Sequence, residues 1–434
     1  MNRNLMLNFG IIFVTLLIPY SVLQVSTPTP EWPIFWQVRS YLVNYSGIVS
    51  MILMSLSVIL SVKHWPLERW LGGLDKQYRL HKYLGISTVL SALFHWGAFL
   101  SDDFAMGFGY VELKNETFPF WKLLDGLGDQ AQLIGEYAFY LSAAFVLIAW
   151  IKKFKHNVFQ LTHKVFPYLY LLLVLHMVMF FDASLWLSGI GITLLLTSGL
   201  ATVACLITIL GLNGKVKRHP AKINRIKPTR NGIDVVLNVE TPQFTCQPGQ
   251  FAFIGFGDKE RPHPFSLISA HNGSRHVRLL IKNNGDYTRL LMETLEVGQT
   301  AEIEGPYGCF NFQDDAVQQI WFAAGIGIAP FLTAIEAIGT AKPIILFYSY
   351  REEDESFLNE LQQRTQKIGV KLYMKKTSEE GRFTFSEIIE RIESIEHSSV
   401  WFCGPSDLGK TLERKFIRAG LPVKSFHREL FEFR

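Results

Sequence analysis

The chain has 434 residues, 49% hydrophobic and 14% aromatic, with a formal net charge of +4 at neutral pH. So small a surplus, with no run of Lys or Arg interleaved with aromatics, carries no footprint for nucleic-acid binding. Cys205, Cys246, Cys309 and Cys403 are widely spaced and form no CxxC pair, so neither a zinc site nor an iron–sulfur cluster has a ligand set.

Apolar residues crowd into the first half. Six stretches, approximately 5–23, 41–62, 80–100, 133–151, 163–181 and 186–210, are long enough to span a bilayer. The flank of the first, SVLQVSTP, lacks a small-x-small cleavage site, and five further spans follow, so a membrane helix is expected there and not a signal peptide. Lys63, Arg69, Lys76, Arg79 and Lys82 follow the second span, Lys152, Lys153 and Lys155 the fourth, and Lys215, Lys217 and Arg218 the sixth. The opposite connections are poorer in cations, and the longest carries Asp102, Asp103, Glu112, Glu116, Asp125 and Asp129. The positive-inside bias predicts a multi-pass protein of the plasma (inner) membrane with both termini and the second half in the cytoplasm. Cys246, Cys309 and Cys403 then lie where disulfides do not persist.

Four histidines stand in two pairs within these spans: His81 with His95, and His163 with His176. Imidazole is uncharged near neutral pH and is a common axial ligand of haem iron. Separations of 14 and 13 residues correspond to ~20 Å along a helix, about two-thirds of a ~30 Å hydrocarbon core. Fourteen residues return within ~40° of the starting face, whereas thirteen fall ~140° short on a straight helix. Pro167, four residues after His163, predicts a local rewinding of the first turn. Odd-numbered spans are parallel, so His81 and His163 are expected to ligate an inner haem and His95 and His176 an outer one.

Near Gly214 the pattern changes. GKVKRHPAK, with Pro220, reads as a polar hinge. IDVVLNVE, QFAFIGF, RHVRLLIK and TAEIEGPYG alternate as short strands and predict a small antiparallel barrel up to about residue 315. From Gln318, strands QIWFAAG, PIILFYSY, VKLYMKK and VWFCGP alternate with helices, which predicts a doubly wound parallel sheet. Gly325-Ile326-Gly327-Ile328-Ala329-Pro330 joins the first of these strands to its helix. Glycines at that turn permit close approach to a pyrophosphate, the helix N-terminus favours its charge, and Pro330 suits the first turn. Arg351 ends the second strand, where a guanidinium can grip a 2′-phosphate. Glu352, Glu353 and Asp354 follow it and would repel that phosphate if they face the site, so NADPH and NADH both stay open.

The second half resembles the ferredoxin–NADP reductase family through Arg261-Pro262-His263-Pro264-Phe265-Ser266-Leu267, Lys282 with Gly285-Asp286-Tyr287-Thr288, Glu304-Gly305-Pro306-Tyr307-Gly308, the glycine loop, Cys403-Gly404-Pro405, and Phe426-His427-Arg428-Glu429-Leu430-Phe431. In order, and with the four histidines, these motifs make nearly the whole chain similar to the NADPH oxidase and ferric reductase superfamily. The fold this implies is a multidomain membrane protein: an all-α six-helix dihaem bundle over 1–213, a linker over 214–221, an antiparallel β-barrel FAD domain over 222–315, and an α/β doubly wound NAD(P)H domain over 316–434. The resemblance implies that His263, Pro264, Phe265 and Ser266 bind the flavin, Phe265 against its ring or ribityl chain and Ser266 near N5. It implies that Lys282 and Gly285, Asp286, Tyr287 and Thr288 serve the FAD pyrophosphate, and that Gly325, Gly327 and Pro330, with Gly404 and Pro405, receive the nicotinamide dinucleotide. Cys403 and Glu429 then lie beside the nicotinamide, and Phe431 stacks on the isoalloxazine; Phe433 is an alternative because Glu432-Phe433-Arg434 follows.

The cofactors expected are FAD, two b-type haems and NADPH or NADH, within a lipid bilayer and without an obligate protein partner. A nicotinamide gives up two electrons as hydride and haem iron takes one at a time, so a flavin between them is a chemical requirement. The electron acceptor outside the cytoplasm is dioxygen, giving superoxide, or a ferric chelate. Arg39, at the outer end of the second span, is the candidate cation beside a nascent superoxide, or an interfacial anchor. Some oxidases carry a second His one turn beyond the outer ligand of the third span; here that position is Phe99. A haem-binding subunit without its own turnover is the reading from another class. No EF-hand loop is present, so calcium control within the chain is not indicated.

Overall fold

The computed structural model describes residues 34–63, 65–101, 105, 107, 128–151, 156–242, 244–258, 260–269, 275–337 and 342–429. The first expected span and Phe431 with its rival Phe433 lie outside these residues. Contacts divide the chain into two compact units, Met1–His64 with Lys76–Asn213, and Trp65–Asp75 with Gly214–Arg434.

The first unit is helical: α1 (Ile34–Ile59), then, after the short α2 (Trp65–Leu71) that belongs to the other unit, α3 (Leu74–Phe99), α4 (Gly128–Trp150), α5 (His156–His163), α6 (Phe166–Phe180) and α7 (Gly189–Ile209). Among the described residues, four helical stretches are long and apolar enough to cross a membrane: Ile34–Ile59, Gly128–Ala149, Leu161–Phe180 and Gly189–Ile209. α3 has the length, with 26 residues, but its first turns carry Asp75, Lys76, Arg79 and Lys82. The fifth expected span is interrupted. α5 ends at His163, a turn follows, and α6 starts at Phe166 with Pro167 in its first turn, where a missing N–H costs no helical bond. That break supplies the rewinding expected from the thirteen-residue spacing.

Small side chains let the helices approach. Ser198, Ala201, Ala204 and Cys205 of α7 are buried, and their cluster takes in Met51 and Ile52 of α1 and Tyr170 of α6, as befits helices that associate by close packing. The hydroxyl of Tyr170, buried in this cluster, is satisfied: Ser55 lies 2.9 Å from it, and the Ser198 carbonyl 3.3 Å.

The second unit holds two sheets. The first is antiparallel, in the order β4-β3-β7-β1-β2-β6-β5, built from β1 (Arg218–Thr229), β2 (Gly232–Val239), β3 (Phe251–Gly255), β4 (His263–Ser266), β5 (Ile268–Ser269), β6 (His276–Lys282) and β7 (Thr300–Tyr307). The expected barrel is not closed by a ladder. Its two edge strands, β4 and β5, are consecutive in the chain and are separated only by Leu267. The sheet therefore curls until a covalent step, not hydrogen bonds, joins its edges. Alternate residues of β2 and β6, among them Val235, Leu237, Val277 and Leu279, fill its interior.

α2 packs into this unit. Glu68, 3% exposed, accepts from the Gly308 N–H at 2.7 Å and from Lys217 Nζ at 3.4 Å. Lys217 Nζ also lies 4.3 Å from the Tyr307 ring centre. These contacts brace the end of β7.

The second sheet is parallel, in the order β10-β9-β8-β11-β12, from β8 (Gln318–Ala324), β9 (Ile344–Tyr350), β10 (Lys371–Lys376), β11 (Ser398–Cys403) and β12 (Phe426–Arg428). The helices α9 (Ala329–Ala337), α10 (Glu355–Lys367), α11 (Phe385–Ile389) and α12 (Ser406–Arg418) follow strands, after α8 (Asp286–Thr294) of the antiparallel part. β8, β9 and β11 are buried almost throughout, as strands covered on both faces must be. The order turns back beside β8, so the ends of β8 and β11 flank a switch point where α/β sheets take their ligands.

Candidate functional sites

The structure brings the rings of one of the two expected histidine pairs together. The His81 and His163 ring centres are 5.8 Å apart at 78° between planes, close to the separation of about 6 Å that two imidazoles need when each nitrogen lies about 2 Å from one metal. His95 and His176 lie close enough to interact electrostatically. Three of the four rings have a backbone carbonyl at Nδ1: Ser57 for His81 at 2.8 Å, Val43 for His95 at 2.9 Å and Ala131 for His176 at 2.9 Å. A carbonyl only accepts, so Nδ1 carries the proton and Nε2 is left to a metal. Serine hydroxyls join two of these contacts, Ser57 Oγ at 3.1 Å from His81 Nδ1 and Ser46 Oγ at 3.2 Å from His95 Nδ1. The spacing of His81 and His163 and the Nδ1–H tautomers of His81, His95 and His176 fit imidazole ligation of haem iron. The supporting carbonyls escaped the sequence reading, because any residue supplies one.

Arg39 donates to the Phe99 carbonyl at 2.6 Å, and its guanidinium lies over the Trp36 and Phe99 rings. It lines a cavity of about 610 Å³ with Leu42, Phe94 and Gly97.

In the antiparallel sheet the four residues of β4 are half-buried. His263 stacks on Tyr287 with centres 3.8 Å apart, and its Nδ1 donates to the Arg261 carbonyl at 2.7 Å. Tyr287 donates to Asp258 at 3.1 Å; burial, then the Asp258 and Glu260 carboxylates, push its phenol up and keep it a donor. Phe265 leans on Phe256 of the sheet interior. Gly285, with φ +143°, precedes α8, and Thr288 Oγ1 accepts from the Asn284 N–H and donates to the Gly285 carbonyl. The start of α8, with Asp286 in its first turn, therefore presents the unpaired N–H groups that suit a phosphate. This cradle fits the diphosphate of FAD.

The glycine loop forms a tight turn, Gly325–Ile328, between β8 and α9, with Pro330 at the helix start. A Cβ on Gly325, at φ +56°, would lie 3.6 Å from Lys282 Nζ, so Lys282 of β6 reaches this loop. A Cβ on Gly327 would lie 2.2 Å from the Cys403 carbonyl oxygen, and one on Gly404 would lie 2.8 Å from Ala324 Cβ. These two glycines let the ends of β8 and β11 close on each other before Pro405 leads into α12. Cys403 Sγ sits 3.9 Å from Glu429 Oε2, and both residues are buried. Burial first, then the Glu429 carboxylate, pushes the Cys403 thiol up, so it stays protonated.

Arg351 is exposed at the end of β9. The acids after it have partners elsewhere: Glu352 pairs with Arg230 at 3.5 Å, Glu353 accepts from Tyr348 at 3.0 Å, and Asp354 accepts from the Arg230 N–H at 3.2 Å. Burial raises the Glu353 carboxyl above its usual range.

The family described as "Ferric reductase like transmembrane component" matches residues 46–174, and an FAD-binding domain matches residues 218–311; together they cover just over half of the chain. Among curated proteins, the propane 2-monooxygenase reductase component of Mycolicibacterium goodii is 28% identical over 41% of this chain and 57% of its own length. The carnitine monooxygenase reductase subunit of Escherichia coli is 25% identical over 44% of this chain and 60% of its own. The chain thus spans about three-fifths of the length of these relatives. Among solved structures, flavohemoglobin from Malassezia yamatoensis covers 93% of this chain and 99% of its own at 15% identity and a TM-score of 0.49. Amycolatopsis cytochrome P450 reductase GcoB covers 49% of this chain and 69% of its own at 19% identity and a TM-score of 0.43. With a ferric-reductase-like membrane component leading into an FAD-binding reductase domain, the chain belongs to the NADPH oxidase and ferric reductase superfamily.

Proposed function

We propose that this protein is a transmembrane oxidoreductase that oxidises NAD(P)H on the cytoplasmic side and reduces dioxygen to superoxide on the other. The observation that carries this reading is the His81–His163 pair, 5.8 Å apart in a membrane unit whose chain continues into an FAD-binding domain. His81 and His163 would hold the inner haem, and His95 and His176 the outer one. His263, Pro264, Phe265 and Ser266 would receive the flavin, and Gly285, Asp286, Tyr287 and Thr288 its diphosphate, with Lys282 between that site and the glycine loop. Gly325, Gly327, Pro330, Gly404 and Pro405 would line the dinucleotide, with Arg351 toward a 2′-phosphate. Cys403 and Glu429 would bound the nicotinamide, and Phe431 would cover the flavin until nicotinamide displaces it. When bound, the flavin accepts two electrons together and releases them singly, and haem iron passes single electrons. The chain's own part is to orient each group: carbonyls fix the imidazole tautomers, and a thiol held neutral presents no charge to an incoming hydride.

Reduction of a ferric chelate is the second reading. It is favoured by Phe99 at the site where some oxidases hold a second histidine, and by the engagement of Arg39 with the Phe99 carbonyl. Anaerobic mixing of the purified chain with NADPH or NADH should bleach the flavin and then reduce both haems. Subsequent mixing with oxygen or with ferric citrate identifies the acceptor by which one reoxidises the haems faster. Haems that stay oxidised while NAD(P)H is present would leave only a binding subunit without turnover.

A further inference from the structure

Two histidines are seated in the same way on different helices. His95 of α3 donates from Nδ1 to the Val43 carbonyl of α1, and His176 of α6 donates from Nδ1 to the Ala131 carbonyl of α4, each at 2.9 Å. In a helix, the N–H four residues on bonds to that same carbonyl. In both acceptor helices that residue is glycine, Gly47 after Val43 and Gly135 after Ala131. A Cβ at Gly135 would lie 2.3 Å from His176 Nδ1 and 2.5 Å from its Cε1. At Gly47 it would lie 3.1 Å from His95 Cε1 and 3.3 Å from Nδ1. Gly97 and Gly199, in α3 and α7, have nothing within 4 Å of the same position. A glycine inside a helix weakens it, so a glycine facing each imidazole, one helical bond beyond its carbonyl, has a use at that imidazole. His81 is held otherwise, by the carbonyl and hydroxyl of Ser57.

We propose that Gly47 and Gly135 are positioning residues for the outer haem. Each leaves a notch in which a ligand imidazole lies against the neighbouring helix, within reach of the carbonyl that fixes its Nδ1–H tautomer and turns Nε2 toward the iron. The pairs α1/α3 and α4/α6 are then two uses of one device. This rests on the reading of His95 and His176 as the outer-haem ligands. An iron-bound ring cannot swing aside as a free side chain would, so an added methyl must break the bond to iron or the bond to the carbonyl. A carbonyl accepting from Nδ1–H enriches the imidazole and favours ferric iron, so weakening that bond raises the midpoint potential.

The test uses the purified full chain with haem stoichiometry, low-temperature EPR and redox titration as readouts. The wild type should bind two haems per chain; a single haem, or none, would overturn the ligand reading itself. Gly135→Ala, with the tighter clash, should lose one haem and keep the one held by His81 and His163, with flavin still reducible. Gly47→Ala should retain two haems, with a raised midpoint and an altered low-spin EPR signal for the outer haem alone. Gly199→Ala should match the wild type. If Gly135→Ala fails to fold, Gly47→Ala decides. Two haems with unchanged potentials and EPR in the glycine variants, or equal damage from Gly199→Ala, would overturn the proposal.

Discussion

Replacing His95 by leucine removes the nitrogen proposed for the outer iron and keeps an apolar side chain at the α1–α3 contact. The expected result is one haem per chain by pyridine haemochrome assay, with flavin still reduced by NAD(P)H; two retained haems would refute the assignment. Gly327 offers a second test. A methyl there would stand 2.2 Å from the Cys403 carbonyl oxygen, a clash of the kind that costs about 1–3 kcal/mol in a packed interior. It would also displace Cys403 relative to the dinucleotide loop, and a shift of about 1 Å at a reacting centre can slow chemistry on the order of a hundredfold. Gly327→Ala should therefore slow transient flavin reduction by roughly that factor while haem content and haem spectra stay unchanged. The glycine motif was legible in the sequence as a pyrophosphate turn. That Gly327 also faces the main chain of Cys403 was not, since 76 residues separate them and nothing local records the approach.

At the scale of elements, the periodic segments were legible and their junctions were not. Among the described residues, four of the expected membrane helices and the strands β2, β3 and β6 to β11 follow the apolar patterns that predict them, whereas β1 begins at Arg218, inside the stretch 214–221 that reads as a polar linker. Pro167 signalled a disturbance, but a four-residue offset from His163 does not say whether a helix bends or breaks. The gap in the curled sheet was equally hidden, because the short β4 and β5, with only Leu267 between them, show no strand alternation of their own. One junction is fully local. Thr384 and Glu387 form a capping box at the start of α11, and Lys375 Nζ lies 2.8 Å from the Glu387 carboxylate. The Lys375 contact, then the Thr384 main-chain N–H, lower the Glu387 carboxyl from its ordinary 4.5 to about 2. A carboxylate with a depressed value adds stability that is present above the unfolded value and is lost as pH falls toward the folded one. Thr384→Ala should cost about 1 kcal/mol at neutral pH, seen as a lower thermal midpoint for the unit. Glu387→Gln should flatten the loss of stability between pH 5 and 2, and an unchanged acid limb would show that the box contributes nothing there.

For the whole molecule, the order of parts is the informative feature: paired histidines in apolar helices, then a flavin-type sheet, then a nucleotide-type sheet. The motifs preserve that order along the chain, which is why the architecture was readable, whereas the assignment of Trp65–Asp75 to the second unit depends on tertiary contacts such as Glu68 with Gly308. The proposed function makes that order a direction of electron flow. Under the proposed orientation, read from the basic residues that follow the second, fourth and sixth expected spans, NAD(P)H would be consumed on the cytoplasmic side and His95 and His176 would lie toward the opposite face. On that reading a small acceptor would meet the outer haem without crossing the membrane centre. In sealed, right-side-out proteoliposomes, NAD(P)H trapped inside should reduce cytochrome c outside, and His95→Leu should reduce that rate to the background of empty vesicles. Inhibition by superoxide dismutase identifies dioxygen as the acceptor. Rapid reduction of an external ferric chelate that continues without oxygen and ignores dismutase identifies the chelate. External reduction driven equally by NAD(P)H supplied only outside intact vesicles would show that the second half faces outward, and would overturn the orientation together with the inner and outer assignment of the two histidine pairs.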